Sequence, residues 1–202
     1  MCLYNKDYES KTRFISYYNQ YKFIRKGKYK NVLEIGTGNG TLKILLEKIG
    51  VKIKTADIDT QLKPDIVLDL NKKIELKERF DCIVLFQTLE HIPYNRVRFV
   101  LKELFDYTEN IIISVPIQLT YFYLGLKLPL TTMRKEFLFG IEKTWNTRFL
   151  SREHEWELGT KGYRKNNFVK ELKENGIMVV SEFQEKQNPY HLFLELKKGA
   201  TK

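Results

Sequence analysis

The stretch that decides the fold is Val32-Leu33-Glu34-Ile35-Gly36-Thr37-Gly38-Asn39-Gly40-Thr41. Its first four residues are apolar apart from Glu34, which predicts a short buried strand. Three glycines at alternate positions follow, and glycine lets the backbone turn sharply and approach a ligand closely. A helical pattern then begins, with its apolar face formed by Leu42, Leu45, Leu46 and Ile49. A strand, a glycine loop and a helix in this order predict a ligand-binding unit.

The alternation of strands and helices extends outward from this loop. Further strands are predicted at 51–56, 66–68, 82–86, 111–115, 177–183 and 191–196, and further helices at 11–26, 94–107 and 166–175. Because most of these strands are continuous apolar runs, we expect a mostly parallel sheet with helices on both faces, a Rossmann-like α/β fold. No linker or repeat divides the chain, so a single domain over residues 1–202 is predicted.

Two segments differ from this pattern. Residues 116–161, after the fifth strand, are rich in aromatic side chains and show little clear period. Residues 1–28 contain a basic amphipathic helix whose apolar stripe is mostly aromatic. One interpretation is that both segments cover an apolar acceptor pocket, and the other is that they pack as ordinary core over the edge of the sheet.

Charge and cysteine content limit the cellular setting. The formal net charge is +10, and residues 1–30 hold a large share of the excess. Such a balance suggests an anionic partner, either nucleic acid, a membrane surface or a phosphorylated substrate, but without a second signal a solvated basic face is favoured. Cys2 and Cys82 have neither disulfide-framework nor zinc spacing, and Asp7 and Glu9 interrupt any signal peptide. The most apolar window, 111–130, contains polar residues and a proline, so no transmembrane segment is expected. These features predict a cytoplasmic protein.

The residues around the glycine loop discriminate between two classes of ligand. Dinucleotide sites favour G-x-G-x-x-G, but position 41 is threonine. A carboxylate such as Glu34 is repelled by a phosphate and stabilised beside an ammonium group, which the methionine end of S-adenosylmethionine supplies. Asp57, at the end of the second strand, is placed to accept hydrogen bonds from ribose hydroxyls of either ligand. The pattern favours S-adenosylmethionine over a nicotinamide cofactor.

Four motifs, in order along the chain, carry a family resemblance. They are Val32–Gly40, Asp57-Ile58-Asp59, Asp65-Ile66-Val67-Leu68-Asp69-Leu70, and the run from Phe80 to Pro93 that contains Leu89-Glu90-His91. Together they resemble the class I S-adenosylmethionine-dependent methyltransferases, in the small-molecule branch with a Leu-Glu-His motif. The resemblance implies a seven-stranded sheet whose last strand is antiparallel. It also implies cofactor contacts from Glu34, Gly36, Gly38, Gly40, Asp57, Ile58, Asp69, Leu70, Gln87, Thr88 and His91.

The acceptor side of the reaction offers one candidate catalytic residue. Methyl transfer from a sulfonium is an in-line displacement, and a general base is needed only if the acceptor must lose a proton. His154 lies in the aromatic segment, in the run Arg152-Glu153-His154-Glu155-Trp156-Glu157, whose flanking acids can orient its imidazole and raise its basicity, so it is the predicted base. The alternative is a solvated surface histidine. No cluster with metal-ligand spacing is present in the sequence, so no metal is expected.

Several functions are compatible with these motifs. The leading hypothesis is methyl transfer to an apolar, amphiphilic or glycosylated small molecule. The first alternative is a tRNA or rRNA methyltransferase, suggested by the basic, tyrosine-rich N-terminus. It is disfavoured because the Asn/Asp-Pro-Pro-aromatic motif of amino-methylating enzymes is missing after the fourth strand. The second alternative is a protein that binds the cofactor without transferring a methyl group.

Overall fold

A seven-stranded sheet forms the centre of the fold in the computed structural model, which describes residues 10–127, 134–149 and 151–199. The strand order is β3-β2-β1-β4-β5-β9-β8. β1 to β5 run parallel, whereas β9 is antiparallel to both of its neighbours. The strands are β1 (Asn31–Ile35), β2 (Lys52–Asp57), β3 (Ile66–Val67), β4 (Cys82–Phe86), β5 (Asn110–Pro116), β8 (Ile177–Gln184) and β9 (His191–Lys198). The predicted sheet with an antiparallel last strand is confirmed.

Four α-helices cover the two faces of this sheet. They are α1 (Lys11–Gly27), α2 (Thr41–Glu47), α3 (Tyr94–Leu104) and α4 (Lys165–Glu174). Successive strand residues point to opposite faces, so Val32 packs in the core with α1 and α2, and Leu33 packs in the core with α3 and α4. Both side chains are fully buried. This burial on both faces explains why the strands are continuous apolar runs.

The segment after β5 contains regular structure that the sequence pattern did not predict. β6 (Leu119–Lys127) and β7 (Arg134–Glu142) form a separate two-stranded antiparallel sheet, the hairpin, with nine residue pairs in register. The lack of a clear period in the sequence did not predict these strands. Apolar residues occupy both faces of the hairpin and hide the alternation that is typical of a strand. Its connection, residues 128–133, lies outside the described residues.

Local signals explain most element boundaries. The Ser10 side chain accepts a hydrogen bond from the Arg13 amide at 3.2 Å and begins α1, and Lys28 ends it in a left-handed conformation. α3 ends at Leu104 rather than at the predicted 107, because the Tyr107 amide instead closes a turn onto the Leu104 carbonyl. The predicted features at Cys2, Asp7 and Glu9 lie outside the described residues. Within the described ranges, no helix is both long and apolar enough to cross a membrane.

Candidate active site

The glycine loop follows β1 at the carboxyl edge of the parallel strands. Gly36 has a φ of +82° and donates its amide to the Ala56 carbonyl of β2 at 2.9 Å. A Cβ at this position would lie 2.2 Å from Thr88 Oγ1, so no larger residue fits without displacement. Thr88 Oγ1 in turn donates to the Ile35 carbonyl at 3.0 Å. The loop therefore packs so closely against the residues after β4 that only glycine fits at position 36.

Substitution of Gly36 by alanine is expected to lower the thermal stability of the protein. The left-handed backbone costs about 1–2 kcal/mol for a residue with a side chain, and overpacking against Thr88 adds about 1–3 kcal/mol. For a chain of this size the loss corresponds to a fall in Tm of roughly 5–15 °C. Differential scanning calorimetry measures the change.

Gly50→Ala is the matched control for this substitution. Gly50 also has a positive φ of 78°, but nothing lies within 4 Å of a Cβ built there, so the control carries only the backbone cost. A fall in Tm that is equal for the two variants would contradict the steric role of Thr88.

Carboxylates at the ends of β2 and β3 face the loop. Asp57 accepts hydrogen bonds from the Thr37 amide and the Asp59 amide, both at 2.9 Å. Asp69, two residues after β3, accepts the Asn71 amide at 2.9 Å. A carboxylate has four acceptor directions, so each of these groups keeps capacity for a ligand hydroxyl or amine.

Glu34 is a buried acid within this arrangement. Its side chain lines the cavity, the residue is only 4% exposed, and Oε2 has no hydrogen-bond partner among the described residues. Burial raises the pKa of the carboxyl to about 8; Lys43 works against this shift and Asp57 adds to it. A cationic group delivered beside Glu34 would remove the cost of ionising it.

These residues surround one cavity of about 650 Å³. Eleven of the twelve residues singled out from the sequence line it: Glu34, Gly36, Gly38, Asp57, Ile58, Asp69, Leu70, Gln87, Thr88, His91 and His154. The twelfth, Gly40, does not line the cavity and instead begins α2 with a φ of +76°. Gln87 is one of few non-glycine residues with a positive φ, 54°, which places strained backbone at the wall of the cavity.

His154 sits at another part of the cavity wall, held by acidic groups. Its Nδ1 lies 2.6 Å from Glu157 Oε1, and its Nε2 lies 4.0 Å from Glu90 Oε1. Burial raises the pKa of Glu157, but hydrogen bonds from His154, Gln118 and the Ser151 amide outweigh that effect and the net pKa is lowered. Glu157 is therefore ionised at neutral pH, so Nδ1 carries the proton and the lone pair of a neutral ring is on Nε2.

Glu90 is the second acid beside His154. The residue is fully buried, and neither carboxylate oxygen has a hydrogen-bond partner among the described residues. Burial, with a smaller effect from Glu157, raises its pKa to about 8 against the lowering effect of its own backbone. Glu90 is thus mostly neutral at pH 7, in contrast to Glu157, and the two acids differ because only Glu157 is hydrogen-bonded.

One group in the described ranges could also hold a metal ion. Glu90, His91 and His154 each offer one ligand atom within 4.8 Å of the others. The sequence predicted no metal site, because Glu90 and His154 are 64 positions apart and spacing alone could not reveal the group.

The sequence analysis offered α1 as cover for an acceptor pocket but did not identify which of its residues line the cavity. Four residues of this helix line the cavity: Arg13, Ser16, Tyr17 and Gln20. Their spacing of three and four residues marks one helical face, a signal that was present in the sequence. The Ser16 hydroxyl lies 2.9 Å from His191 Nδ1 and the Tyr17 hydroxyl donates to Asn39 Oδ1 at 3.2 Å, so α1 is fastened to β9 and to the glycine loop.

His191 is a structural partner in this contact. Burial lowers its pKa to about 3, with smaller effects from Arg13 and His154, so the ring is neutral. Of the aromatic stripe predicted on α1, Tyr17 lines the cavity while Phe14 and Tyr18 are exposed. In the segment after β5, residues 151, 153 and 154 line the cavity, whereas the hairpin residues do not.

Solved structures share this fold at low sequence identity. The magnesium protoporphyrin IX methyltransferase ChlM from Synechocystis with bound SAH has a TM-score of 0.61 and 17% identity, over 93% of this chain and 84% of that one. The methyltransferase CcbJ from Streptomyces caelestis has a TM-score of 0.61 and 10% identity, over 92% and 90%. The glycopeptide N-methyltransferase MtfA has a TM-score of 0.59 and 13% identity, over 90% and 93%. Among curated proteins, none matches this sequence.

The fold and the acid-lined glycine loop define a class of Rossmann-like α/β methyltransferase. The methyltransferase domain family model matches residues 8–154, more than two thirds of the chain. The chain belongs to this methyltransferase domain family. The match confirms the enzyme class expected from the four motifs, the S-adenosylmethionine-dependent methyltransferases.

Proposed function

We propose that the chain transfers a methyl group from S-adenosylmethionine to a small-molecule acceptor within the 650 Å³ cavity. The observation that carries the proposal is the buried carboxylate of Glu34 beside the glycine loop, with acids at the ends of β2 and β3. A pyrophosphate would oppose the ionisation of Glu34, whereas the ammonium of S-adenosylmethionine favours it and the ribose hydroxyls pair with the acid at the end of β2. The similar structures of ChlM and MtfA contain bound SAM or SAH, which supports this choice of cofactor.

Each part of the cofactor has a proposed partner in the cavity. The ammonium lies beside Glu34 and the ribose hydroxyls bond to Asp57, with Gly36 and Gly38 giving close backbone approach. Asp69 and Leu70 hold the adenine, which the exposed side chain of Ile58 covers. Gln87, Thr88 and His91 flank the methionine end, and Gly40 acts indirectly by starting α2.

The acceptor lies between the sulfonium and His154. Holding both reactants in line lowers the entropic barrier to displacement, and an acceptor that fills the cavity displaces competing water. For an acceptor that must lose a proton, His154 Nε2 is the base and Glu157 fixes its orientation through Nδ1. The acceptor class is an apolar, amphiphilic or glycosylated small molecule, and the similarity of the fold to a glycopeptide and a magnesium protoporphyrin IX methyltransferase supports this choice.

The other expectations from the sequence remain predictions. A tRNA or rRNA acceptor ranks second, because its support is the basic N-terminal region, part of which lies outside the described residues. Cofactor binding without transfer ranks third. A single domain with cover from residues 1–28 and 116–161, and a cytoplasmic location, stay predictions that rest on the sequence.

Calorimetric titration with S-adenosylhomocysteine tests the proposal through the pH dependence of its affinity. Glu34 must ionise to pair with the ligand ammonium, so below its pKa of about 8 each binding event releases a proton. The affinity is therefore expected to rise about tenfold per pH unit from pH 6 to pH 7 and to level off near pH 8. In Glu34→Gln the dependence should vanish.

NAD is the control ligand, because it has the ribose but carries pyrophosphate in place of the amino acid end. No heat of binding is expected with NAD at any of these pH values. Tighter binding of NAD than of S-adenosylhomocysteine would overturn the cofactor assignment. If the affinity of the wild type for S-adenosylhomocysteine does not change with pH, Glu34 does not bind the ligand ammonium.

A further inference from the structure

The hairpin carries an exposed apolar face that the methyl-transfer site does not use. Residues directly opposite on β6 and β7 share a face, and one face collects the pairs Phe122–Phe139 and Leu124–Phe137. Phe122 is 61% exposed and Phe139 67% exposed. Ile141 and Leu126 extend the same face at both ends. Six large apolar side chains in a row are therefore open to solvent, more than the scattered exposure usual for a protein surface.

Charge is distributed unequally between the two faces of the hairpin. Glu136 and Glu142 both lie on the opposite face, where Glu136 pairs with Arg134 at 2.8 Å. The apolar face carries Lys135 as its charged residue, whereas Lys127 and Arg134, the pair nearest the connection, lie on the opposite face, where Arg134 is paired with Glu136. Among the described residues, the apolar face thus carries one cation and no acid.

The opposite face rests on the body of the protein near the cavity. Gln187 donates to Glu136 Oε1, and Lys186 donates to the Glu136 carbonyl, at 2.8 and 2.7 Å. Both residues belong to the connection between β8 and β9, which also supplies Tyr190 to the cavity wall. This support fixes which face of the hairpin is presented outward.

We propose that the apolar face of the hairpin docks onto an anionic lipid surface. Apolar and aromatic side chains bordered by lysine or arginine are suited to the boundary between acyl chains and negative headgroups. A second copy of the chain would bring together two molecules of net charge +10 with Lys135 on both contacting faces, which opposes self-association through this face. The charge pattern therefore favours the lipid surface as the occupant.

The depth of contact is limited by the backbone. Each strand of a two-stranded sheet has an outer edge with unpaired amides and carbonyls, and such groups are costly in hydrocarbon. The hairpin therefore lies flat at the headgroup level rather than inserting end-on. An amphiphilic acceptor in the same surface would then be near the cavity mouth.

Vesicle flotation with the full chain tests this docking. Wild-type protein is expected to float with phosphatidylcholine vesicles containing about 30% phosphatidylglycerol and to bind pure phosphatidylcholine vesicles at least about tenfold less. The double variant Phe122→Ser/Phe139→Ser should lower the partition coefficient on anionic vesicles by about tenfold or more. Lys135→Glu should weaken binding to anionic vesicles by about tenfold while leaving neutral vesicles unaffected.

The matched control is Phe99→Ser/Met178→Ser, which removes two half-exposed apolar side chains outside the hairpin. It should float like the wild type. Equal binding of the two double variants, or no binding by the wild type, would overturn the proposal. So would a wild-type dimer, seen by sedimentation, that Phe122→Ser/Phe139→Ser converts to a monomer.

Folding is checked by the affinity for S-adenosylhomocysteine, which should be unchanged in Phe122→Ser/Phe139→Ser. The docking proposal and the methyl-transfer proposal thus fail separately. Failure of the wild type to float, with intact affinity for S-adenosylhomocysteine, would overturn the docking proposal alone. Failure of the wild type to bind S-adenosylhomocysteine would overturn the cofactor assignment alone.

Discussion

Replacement of Asp57 by alanine is expected to raise the Kd for S-adenosylhomocysteine by two to three orders of magnitude. Hydrogen bonds to a charged group contribute about 1.5–3 kcal/mol each, and the proposed site gives Asp57 two ribose hydroxyls. Losing both corresponds to a factor of roughly 100 or more in affinity. Isothermal titration calorimetry at pH 8, where about half of the Glu34 carboxyls of the free protein are ionised, measures the effect.

A structural role of Asp57 must be separated from its proposed role in binding. Its carboxylate also accepts the Thr37 amide at 2.9 Å, so the variant can loosen the glycine loop. Asp57→Asn retains one acceptor oxygen, so it should keep much of the loop geometry while losing the charge. Asp106→Ala, an exposed acid outside the cavity, should leave the Kd unchanged. An unaltered Kd in Asp57→Ala would refute the cofactor site.

Replacement of His154 by alanine is expected to reduce kcat by about 10²–10⁴-fold and to leave cofactor affinity intact. The magnitude is that of a lost general base. Transfer of a radiolabelled methyl group from S-adenosylmethionine, to an acceptor found by screening amphiphilic and glycosylated small molecules, measures the change. Glu155→Ala is the control, because this exposed acid belongs to the same loop but does not line the cavity. Equal turnover in His154→Ala and the wild type would show that His154 is not the base.

The same assay distinguishes a base from a metal ligand at His154. The lone pair on Nε2 cannot accept a substrate proton while it coordinates an ion. If His154 is the base, treatment with EDTA should leave turnover unchanged. Loss of turnover with EDTA and its return with Zn²⁺ or Mn²⁺ would instead assign Glu90, His91 and His154 to a metal centre.

Local sequence patterns determined the sheet and the end of the cavity that we propose for the cofactor. The strand, glycine loop and helix around Gly36 are contiguous, so their composition alone specifies the turn. Asp57 and Asp69 each follow a parallel strand, and the carboxyl ends of parallel strands meet at one edge of a sheet. The proximity of these strand ends can therefore be inferred from the sequence without knowledge of side-chain packing.

Only the tertiary structure decided what surrounds His154 and which face of the hairpin is exposed. Glu90 and His154 meet because the segment after β5 folds back over the end of β4, where the Glu155 amide bonds to the Glu90 carbonyl at 2.8 Å. No periodicity encodes such a return. In the hairpin, apolar residues occupy both faces, so composition could not distinguish the supported face from the open one. Long-range packing fixes both outcomes, and local patterns carry no information about it.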